Sequence, residues 1–323
     1  MRIRWCLLLP VLLATGPAAP AAESDSYPSR PVRVLLPQGP GSTTDTVGRI
    51  VFAATAERLG QQLVVDNRPG AGGTIGMEIA SRAAPDGYTL VGVAASMMAI
   101  TPHVYRKLAY DPLRDFVPIG LFILSNTAVC VHAKLPPRSV QELLKLAKDK
   151  PGQLNMASAG FGSTSHLAGV LFSNLAGIST NHVPYKGGAS MAAVAQGESD
   201  FTVVPLSAGM AQVKTGRVRC LATGGDKRSS VVPDLPTLTE SGVPGFRLYG
   251  WNGVVAPRGT PRAVIVKFNK TMNEALESAE VRKRYLGLGE EPAFGTPEDF
   301  GKLIREDYVK MGKLVKEAGI KPE

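Results

Sequence analysis

Cysteine, histidine and aromatic residues are scarce in this chain, and their scarcity excludes several classes of protein. The four histidines, His103, His132, His166 and His182, fall at no metal-ligand spacing, and the three cysteines form no Cys-x-x-Cys pair. The sequence therefore predicts no metal site. Aromatic residues make up 6% of the chain, and lysine and arginine form no dense basic block. No nucleic-acid partner is expected, because proteins that bind nucleic acid concentrate basic charge and stack bases on aromatic rings.

The apolar run near the N-terminus is too short to span a membrane. It covers residues 5–14, follows Arg2 and Arg4, and precedes small residues that end at Ala21. This order is typical of a secretory signal, so we expect export, cleavage near Ala21 and a periplasmic location. Cys6 lies inside the apolar run, which argues against a lipoprotein anchor. Loss of residues 1–21 would lower the net charge from +9 to +7.

Two cysteines remain in the predicted mature chain. Cys130 and Cys220 both lie in apolar, strand-like runs. Export permits a disulfide between them, but buried free thiols are also common. The sequence leaves both possibilities open.

Apolar strands alternate with amphipathic helices from residue 32 onward, which predicts an α/β fold with parallel-rich sheets flanked by helices. The apolar run from Phe116 to Val131 exceeds an ordinary strand of about five or six residues, so we interpret it as a crossing between domains. Turn residues at 236–249 predict a second crossing. The predicted domains are a discontinuous first domain, residues 27–124 plus 247–323, and an inserted second domain, residues 125–246.

Two short loops rich in glycine, serine and threonine carry the strongest functional signal. They extend from Pro37 to Asp45 and from Ala157 to Leu167, and each lies between a predicted strand and a predicted helix. Small residues allow close approach to the backbone, and the first amides of a helix lack acceptors and carry the positive end of its dipole. Each loop is therefore predicted to bind an anion. Together they predict one ligand, held from two sides in a cleft beyond the carboxyl ends of parallel strands.

The sequence lacks the complete motifs of nucleotide-binding proteins and of serine hydrolases. The glycines of Val64–Gly76 follow a strand, but the next strand ends without the acidic residue of a dinucleotide site, and no Gly-Lys-Ser/Thr occurs after a glycine-rich turn. We therefore expect no cofactor. Ser163 and His166 could serve as nucleophile and base, but GFGSTS lacks the Gly-x-Ser-x-Gly pattern. An exported serine hydrolase stays open as an alternative.

Two polar residues near these loops, Asp45 and Lys186, each support two interpretations. Asp45 lies three residues after Ser42, the spacing of a capping pair, so it could cap its helix or face a ligand. Tyr185 and Lys186 follow another predicted strand near the same edge. Lys186 could add a positive charge to the anion site or could be solvated.

Several motifs in order resemble the Bug-type extracytoplasmic solute receptors of tripartite tricarboxylate transporters. They are YPSRPVRVLLP, NRPGAGG, APDGYTL, YDPLRDF, ASAGFGSTSHLAG, HVPYKGG, LPTLTESGVPGF, and Trp251-x-Gly253 ahead of APRGTP. The resemblance implies a two-domain periplasmic binding protein of type II, the Venus-flytrap architecture, that closes on a small organic carboxylate. It also implies membrane transporter subunits as partners, no metal or cofactor, and no enzymatic activity.

The resemblance also assigns site residues. The family's first loop is close to PFPxGGxTD, which this chain matches at Gly41, Thr44 and Asp45, while Gln38 and Ser42 replace its phenylalanine and second glycine. The second loop and the HVPYKGG block match closely. The predicted ligand-binding residues are Gln38, Gly41, Ser42, Thr43, Thr44, Asp45, Ser158, Ala159, Gly160, Gly162, Ser163, Thr164, Ser165, His166, Tyr185, Lys186 and Gly187.

One position departs from the family pattern. Many relatives carry an acid in a MFDN stretch, where this chain has Thr202, Val203, Val204 and Pro205. The absence of that acid favours a carboxylate with an apolar or aromatic body over an amino acid. The sequence thus predicts a monomeric receptor that delivers a small organic carboxylate to a membrane transporter, with a ligand sensor for a signalling partner as the alternative among binding proteins.

Overall fold

The computed structural model of the protein describes residues 27–161, 163–185, 189–225 and 227–322. The predicted signal at residues 1–21 lies outside these ranges, as do the predicted site residues Gly162, Lys186 and Gly187. Within the described ranges, no helix has both the length and the apolar composition needed to cross a membrane.

The described residues form ten strands and ten α-helices. The strands are β1 (Val32–Leu36), β2 (Leu63–Asn67), β3 (Thr89–Ala94), β4 (Phe116–Ser125), β5 (Thr127–His132), β6 (Asn155–Ser158), β7 (Asn181–Pro184), β8 (Phe201–Pro205), β9 (Val218–Thr223) and β10 (Gly250–Pro257). The helices are α1 (Thr43–Leu59), α2 (Thr74–Ser81), α3 (Thr101–Val104), α4 (Val140–Asp149), α5 (Thr164–Ala176), α6 (Ala189–Gln196), α7 (Leu206–Val213), α8 (Arg262–Leu276), α9 (Ala279–Gly287) and α10 (Pro297–Glu317).

The strands form two five-stranded sheets with equivalent topology. The first sheet has the order β2-β1-β3-β10-β4, and the second has the order β7-β6-β8-β5-β9. Four strands in each sheet run in one direction, while β10 in the first and β5 in the second run against both of their neighbours. The predicted parallel-rich α/β fold is therefore confirmed, with one antiparallel strand in each sheet.

The apolar run at residues 116–131, which we interpret as a crossing between domains, runs from the first sheet to the second. It divides at Asn126 into β4, at the edge of the first sheet, and β5, inside the second. The chain returns between β9 and β10. Each crossing leaves one sheet at the carboxyl end of a strand. It enters the other sheet at the end where that sheet's four parallel strands finish, so the entering strand runs antiparallel to them. The domain boundaries given above remain a prediction.

The C-terminal helix α10 packs against the cores of both sheets. Thr296 and Asp299 form a capping box at its start, as the Thr-Pro sequence favours. Phe300 and Ile304 join the apolar cluster on one face of the first sheet, while Met311 and Val315 join the main cluster of the second. This helix therefore contributes buried apolar surface to both halves of the molecule.

Cys130 and Cys220 form a disulfide, which settles the possibility that the sequence left open. They face each other on the paired strands β5 and β9 and enclose a separation of 90 residues. Gly209 of α7 packs directly on the bridge, since a Cβ there would lie 2.7 Å and 2.8 Å from the two sulfur atoms. The bridge ties the crossing strand β5 to the edge strand β9.

Replacing both cysteines by alanine should lower the free energy of unfolding by about 2–4 kcal/mol, because the bridge restricts the unfolded chain. Urea unfolding of the variant and the wild type measures the difference. Wild-type protein kept reduced should show the same loss. An unchanged urea midpoint in the double variant would contradict this prediction.

Candidate functional site

The two loops occupy corresponding places in the two sheets. Residues 37–42 connect β1 to α1 and residues 159–163 connect β6 to α5, and both strands are second in their sheets. Both helices follow a serine N-cap with extended backbone. Ser42 Oγ accepts from the Asp45 amide at 3.2 Å, and Ser163 Oγ accepts from the His166 amide at 3.2 Å. The predicted capping pair of Ser42 and Asp45 is thus present.

The first two amides of each helix have no acceptor among the described residues. They belong to Thr43 and Thr44 in α1 and to Thr164 and Ser165 in α5, and no described residue accepts from any of the four. A helix cannot satisfy its own first-turn amides, which also carry the positive end of its dipole. Each helix start can therefore donate two hydrogen bonds to an anion.

Asp45 is used inside the first loop. Its side chain is buried, and its Oδ2 accepts from the Gly41 amide at 2.9 Å. Its Oδ1 accepts from Arg49 Nε at 2.8 Å and Asn67 Nδ2 at 3.1 Å. Burial acts to raise the pKa of Asp45, but these three donors outweigh it and hold the pKa below its ordinary value. Of the two interpretations of Asp45, the structure supports the capping role.

The rest of the first loop is partly buried. Thr44 is buried, and its Oγ1 accepts from Asn252 Nδ2 at 2.9 Å, which ties α1 to β10. The backbone carbonyl of Gln38 accepts from Asn67 Nδ2 at 2.9 Å. Thr43 is exposed, and the Gln38 side chain is half-buried. Thr43 and Gln38 therefore offer the accessible side chains of this loop.

Hydroxyl groups hold the second loop from inside. Ser165 Oγ accepts from the Ala159 amide at 2.9 Å, and Ser158 Oγ accepts from the Gly160 amide at 3.1 Å. Ser163 Oγ donates to the Gly160 carbonyl at 2.7 Å. Polar groups that were predicted to contact a ligand are thus paired within the loop, whereas Thr164 is only half-buried.

Two histidine rings stack beside the second loop. The rings of His166, in the first turn of α5, and His182, on β7, have centroids 3.8 Å apart and planes within 6°. The Phe161 ring meets both edge-on, with centroids at 5.4 Å and 5.0 Å. Burial and the neighbouring His182 lower the pKa of His166 to about 4, and burial lowers the pKa of His182. Both rings are therefore neutral near pH 7.

The predicted third segment is only partly described. The Tyr185 hydroxyl lies 3.0 Å from Ser199 Oγ, and Ser199 is buried. The departure from the family pattern lies in the second sheet, where Val204 packs in an apolar cluster. Position 204 therefore affects core packing beside the loops.

The serine and histidine residues do not form an accessible nucleophile and base. Ser163 Oγ accepts from the backbone amide of His166. Ser158 Oγ does lie 2.6 Å from His182 Nε2, but Ser158 is fully buried and could not meet a substrate. In the described ranges, no three histidine, cysteine, aspartate or glutamate residues lie together as a metal site would require.

A buried glutamate between the two sheets was not predicted. Glu290 accepts from Ser125 Oγ, at the end of β4, and from Ser207 Oγ, in α7, each at 2.7 Å. It is buried, and burial raises its pKa. Glu291 accepts from Ser229 Oγ at 2.5 Å. The sequence GLGEEP resembles an exposed turn, so nothing local indicated that these acids join elements of both sheets.

Comparisons with known proteins agree on one family. The sequence model described as the tripartite tricarboxylate transporter family receptor matches residues 47–320. Protein BugT of Bordetella pertussis is 32% identical over 98% of each chain. An R. palustris protein whose structure was solved with adipate is 34% identical, with a TM-score of 0.80 over 92% of this chain and 100% of its own. MatC from Rhodopseudomonas palustris, solved with bound malate, is 32% identical, with a TM-score of 0.75 over 90% and 100%.

Gly76 of α2 fixes the position of the first loop. A Cβ at this position would lie 2.7 Å from the Arg68 carbonyl oxygen and 2.8 Å from Pro37 Cα. Because both atoms belong to the backbone, we expect Gly76→Ala to lower the free energy of unfolding by about 1–3 kcal/mol, measured by urea unfolding. Gly287→Ala, whose Cβ would meet nothing within 4 Å, is the control. Equal stability of the two variants would contradict the prediction.

Buried His166 should make stability depend on pH. The folded pKa is about 4 and the ordinary value is 6.5, so between these values the unfolded chain binds a proton that the folded chain does not. The free energy of unfolding should therefore fall as pH drops through that window, by up to about 3 kcal/mol. Urea unfolding across the window checks this. His166→Phe should reduce the pH slope, and an unchanged slope would contradict the assignment.

Proposed function

The chain belongs to the tripartite tricarboxylate transporter receptor family, and we propose that it captures a small organic dicarboxylate between its two loops for delivery to membrane transporter subunits. The observation that carries the proposal is the pair of helix starts, one after each sheet's second strand, with two unpaired amides each. The protein is a receptor and not an enzyme, because its family and its structural neighbours are solute-binding receptors.

Backbone amides suit a carboxylate better than they suit a cation or a neutral ligand. Hydrogen bonds to a charged group contribute roughly 1.5–3 kcal/mol each, and micromolar affinity corresponds to about 8 kcal/mol. Four such bonds therefore supply enough free energy for capture, after part of it offsets the entropy lost on association. Since Asp45 is paired with Arg49, the first loop adds no unpaired negative charge that would oppose an anion.

Adipate is the first candidate ligand and malate the second. Two relatives of comparable similarity were solved with these dicarboxylates, and one carboxylate for each helix start would use both loops. Adipate also has an apolar body, which the absence of the acid of the MFDN stretch favours. We further propose that the chain acts as a monomer, is exported with cleavage near Ala21, and closes by a hinge at the two crossings.

Calorimetry with adipate, malate, benzoate and glutamate tests the proposed ligand class. We expect micromolar binding of adipate or malate and much weaker binding of glutamate, because the unpaired amides are donors and cannot accept a hydrogen bond from its ammonium group. If none of the four binds more tightly than millimolar, the proposed function is wrong.

Two proline variants test the helix starts directly. Thr43→Pro and Thr164→Pro each remove one unpaired amide at the first helical position, where proline is tolerated, as Pro297 of α10 shows. Each should weaken adipate or malate binding by about 10–100-fold, the equivalent of one charge-assisted hydrogen bond. Thr43→Ala and Thr164→Ala keep the amide and serve as matched controls. Equal affinities of the proline and alanine variants would contradict the assigned donors.

A further inference from the structure

His182 touches the second loop without being part of it. It lies on β7, and its Nε2 is 2.6 Å from the hydroxyl oxygen of Ser158, the last residue of β6. Because Ser158 is fully buried, no solvent can replace this contact. The hydrogen bond joins two neighbouring strands at the point where the loop begins.

Ser158 transmits this contact to the loop backbone. Its Oγ accepts from the Gly160 amide at 3.1 Å and lies 3.2 Å from the Gly160 carbonyl oxygen. A hydroxyl has one proton, so the direction of the bond to His182 sets which Gly160 group Ser158 meets. The hydroxyl can donate to the Gly160 carbonyl when Nε2–H donates to it, and it is left to accept from the Gly160 amide when it donates to an unprotonated Nε2. Burial favours the neutral ring that this arrangement requires. His182 thereby orients the hydroxyl that fixes the loop's first turn.

The same ring contacts the loop at two further points. It stacks on His166, in the first turn of α5, with centroids 3.8 Å apart. It also meets the edge of Phe161, at the exposed tip of the loop, at 5.0 Å. One imidazole therefore contacts the start of the loop, its tip and the helix that presents the unpaired amides of Thr164 and Ser165.

We propose that His182 is a positioning residue for ligand binding, which holds Ser158 and thereby sets the geometry in which the second loop and the start of α5 meet the ligand. The proposal rests on the function proposed above. The hydrogen bond to Ser158 is the contact that positions the loop, and the stack on His166 holds the His182 ring in place for it. His182 itself does not touch the ligand.

Two substitutions separate the hydrogen bond from the ring. His182→Phe keeps an aromatic ring against His166 and loses the bond to Ser158, whereas His182→Gln keeps a polar group at the position of Nε2 and loses the ring. His103→Phe is the matched control, because His103 also combines a ring contact, with Tyr308, and a hydrogen bond, to the Tyr308 carbonyl oxygen at 2.8 Å.

Adipate affinity by calorimetry and amide hydrogen exchange at residues 158–166 are measured for all four proteins, together with the melting temperature. We expect His182→Phe to bind about fivefold to tenfold more weakly and to exchange the Gly160 amide faster by a similar factor, the equivalent of one hydrogen bond. His182→Gln should recover most of both properties. His103→Phe should leave affinity and loop exchange unchanged, whatever its effect on melting.

Wild-type affinity in His182→Phe, or equal weakening in His182→Gln and His182→Phe, would overturn the proposal. If wild-type protein binds no adipate, the proposed ligand is wrong. The exchange measurement then decides the positioning role separately, since it requires no ligand. Unchanged Gly160 exchange in a folded His182→Phe protein would refute that role.

Discussion

The first amides of an α-helix cannot be satisfied by the helix itself, and the arrangement of this protein follows from where it places two such helix starts. A serine cap on each of α1 and α5 accepts from the third amide and leaves the first two unpaired. Buried unpaired amides are costly, so an anion that accepted hydrogen bonds from these groups would be favoured. Placing one such helix after the second strand of each sheet makes the two sites equivalent in topology.

That equivalence depends on the way in which the chain crosses between sheets. Both crossings enter at the edge where the parallel strands end, which is why β5 and β10 run against their neighbours. The crossing region is joined by side chains of both halves, since Glu290 accepts from Ser125 and Ser207. Helix α10 adds apolar contacts to both cores. The two loops are therefore carried by separate sheets that remain connected at one edge.

Local chemistry was predictable from the sequence, and long-range polar contacts were not. The strands and the caps at Ser42 and Thr296 each depend on residues that are close in the chain. Asn252 lies 208 residues from Thr44, and His182 lies 24 residues from Ser158 on a different strand. No spacing rule relates such residues, because the pairing of strands brings them together. For the same reason the sequence predicted two binding loops but could not show which of their polar groups are already paired.

The two loops differ in how their inner amides are held, and this gives them different mechanical properties. In the first loop the Gly41 amide donates to the buried carboxylate of Asp45, which also accepts from Arg49 and Asn67. Moving that amide would leave a buried charge short of a donor, which is costly. In the second loop the corresponding partners are neutral hydroxyls, which can rotate and exchange one acceptor for another at smaller cost. We therefore expect the first loop to be the more rigid of the two and, in the proposed complex, the second loop to adjust to the ligand. The contact between His182 and Ser158 matters for this reason, because it restrains the loop whose own hydrogen bonds restrain it least.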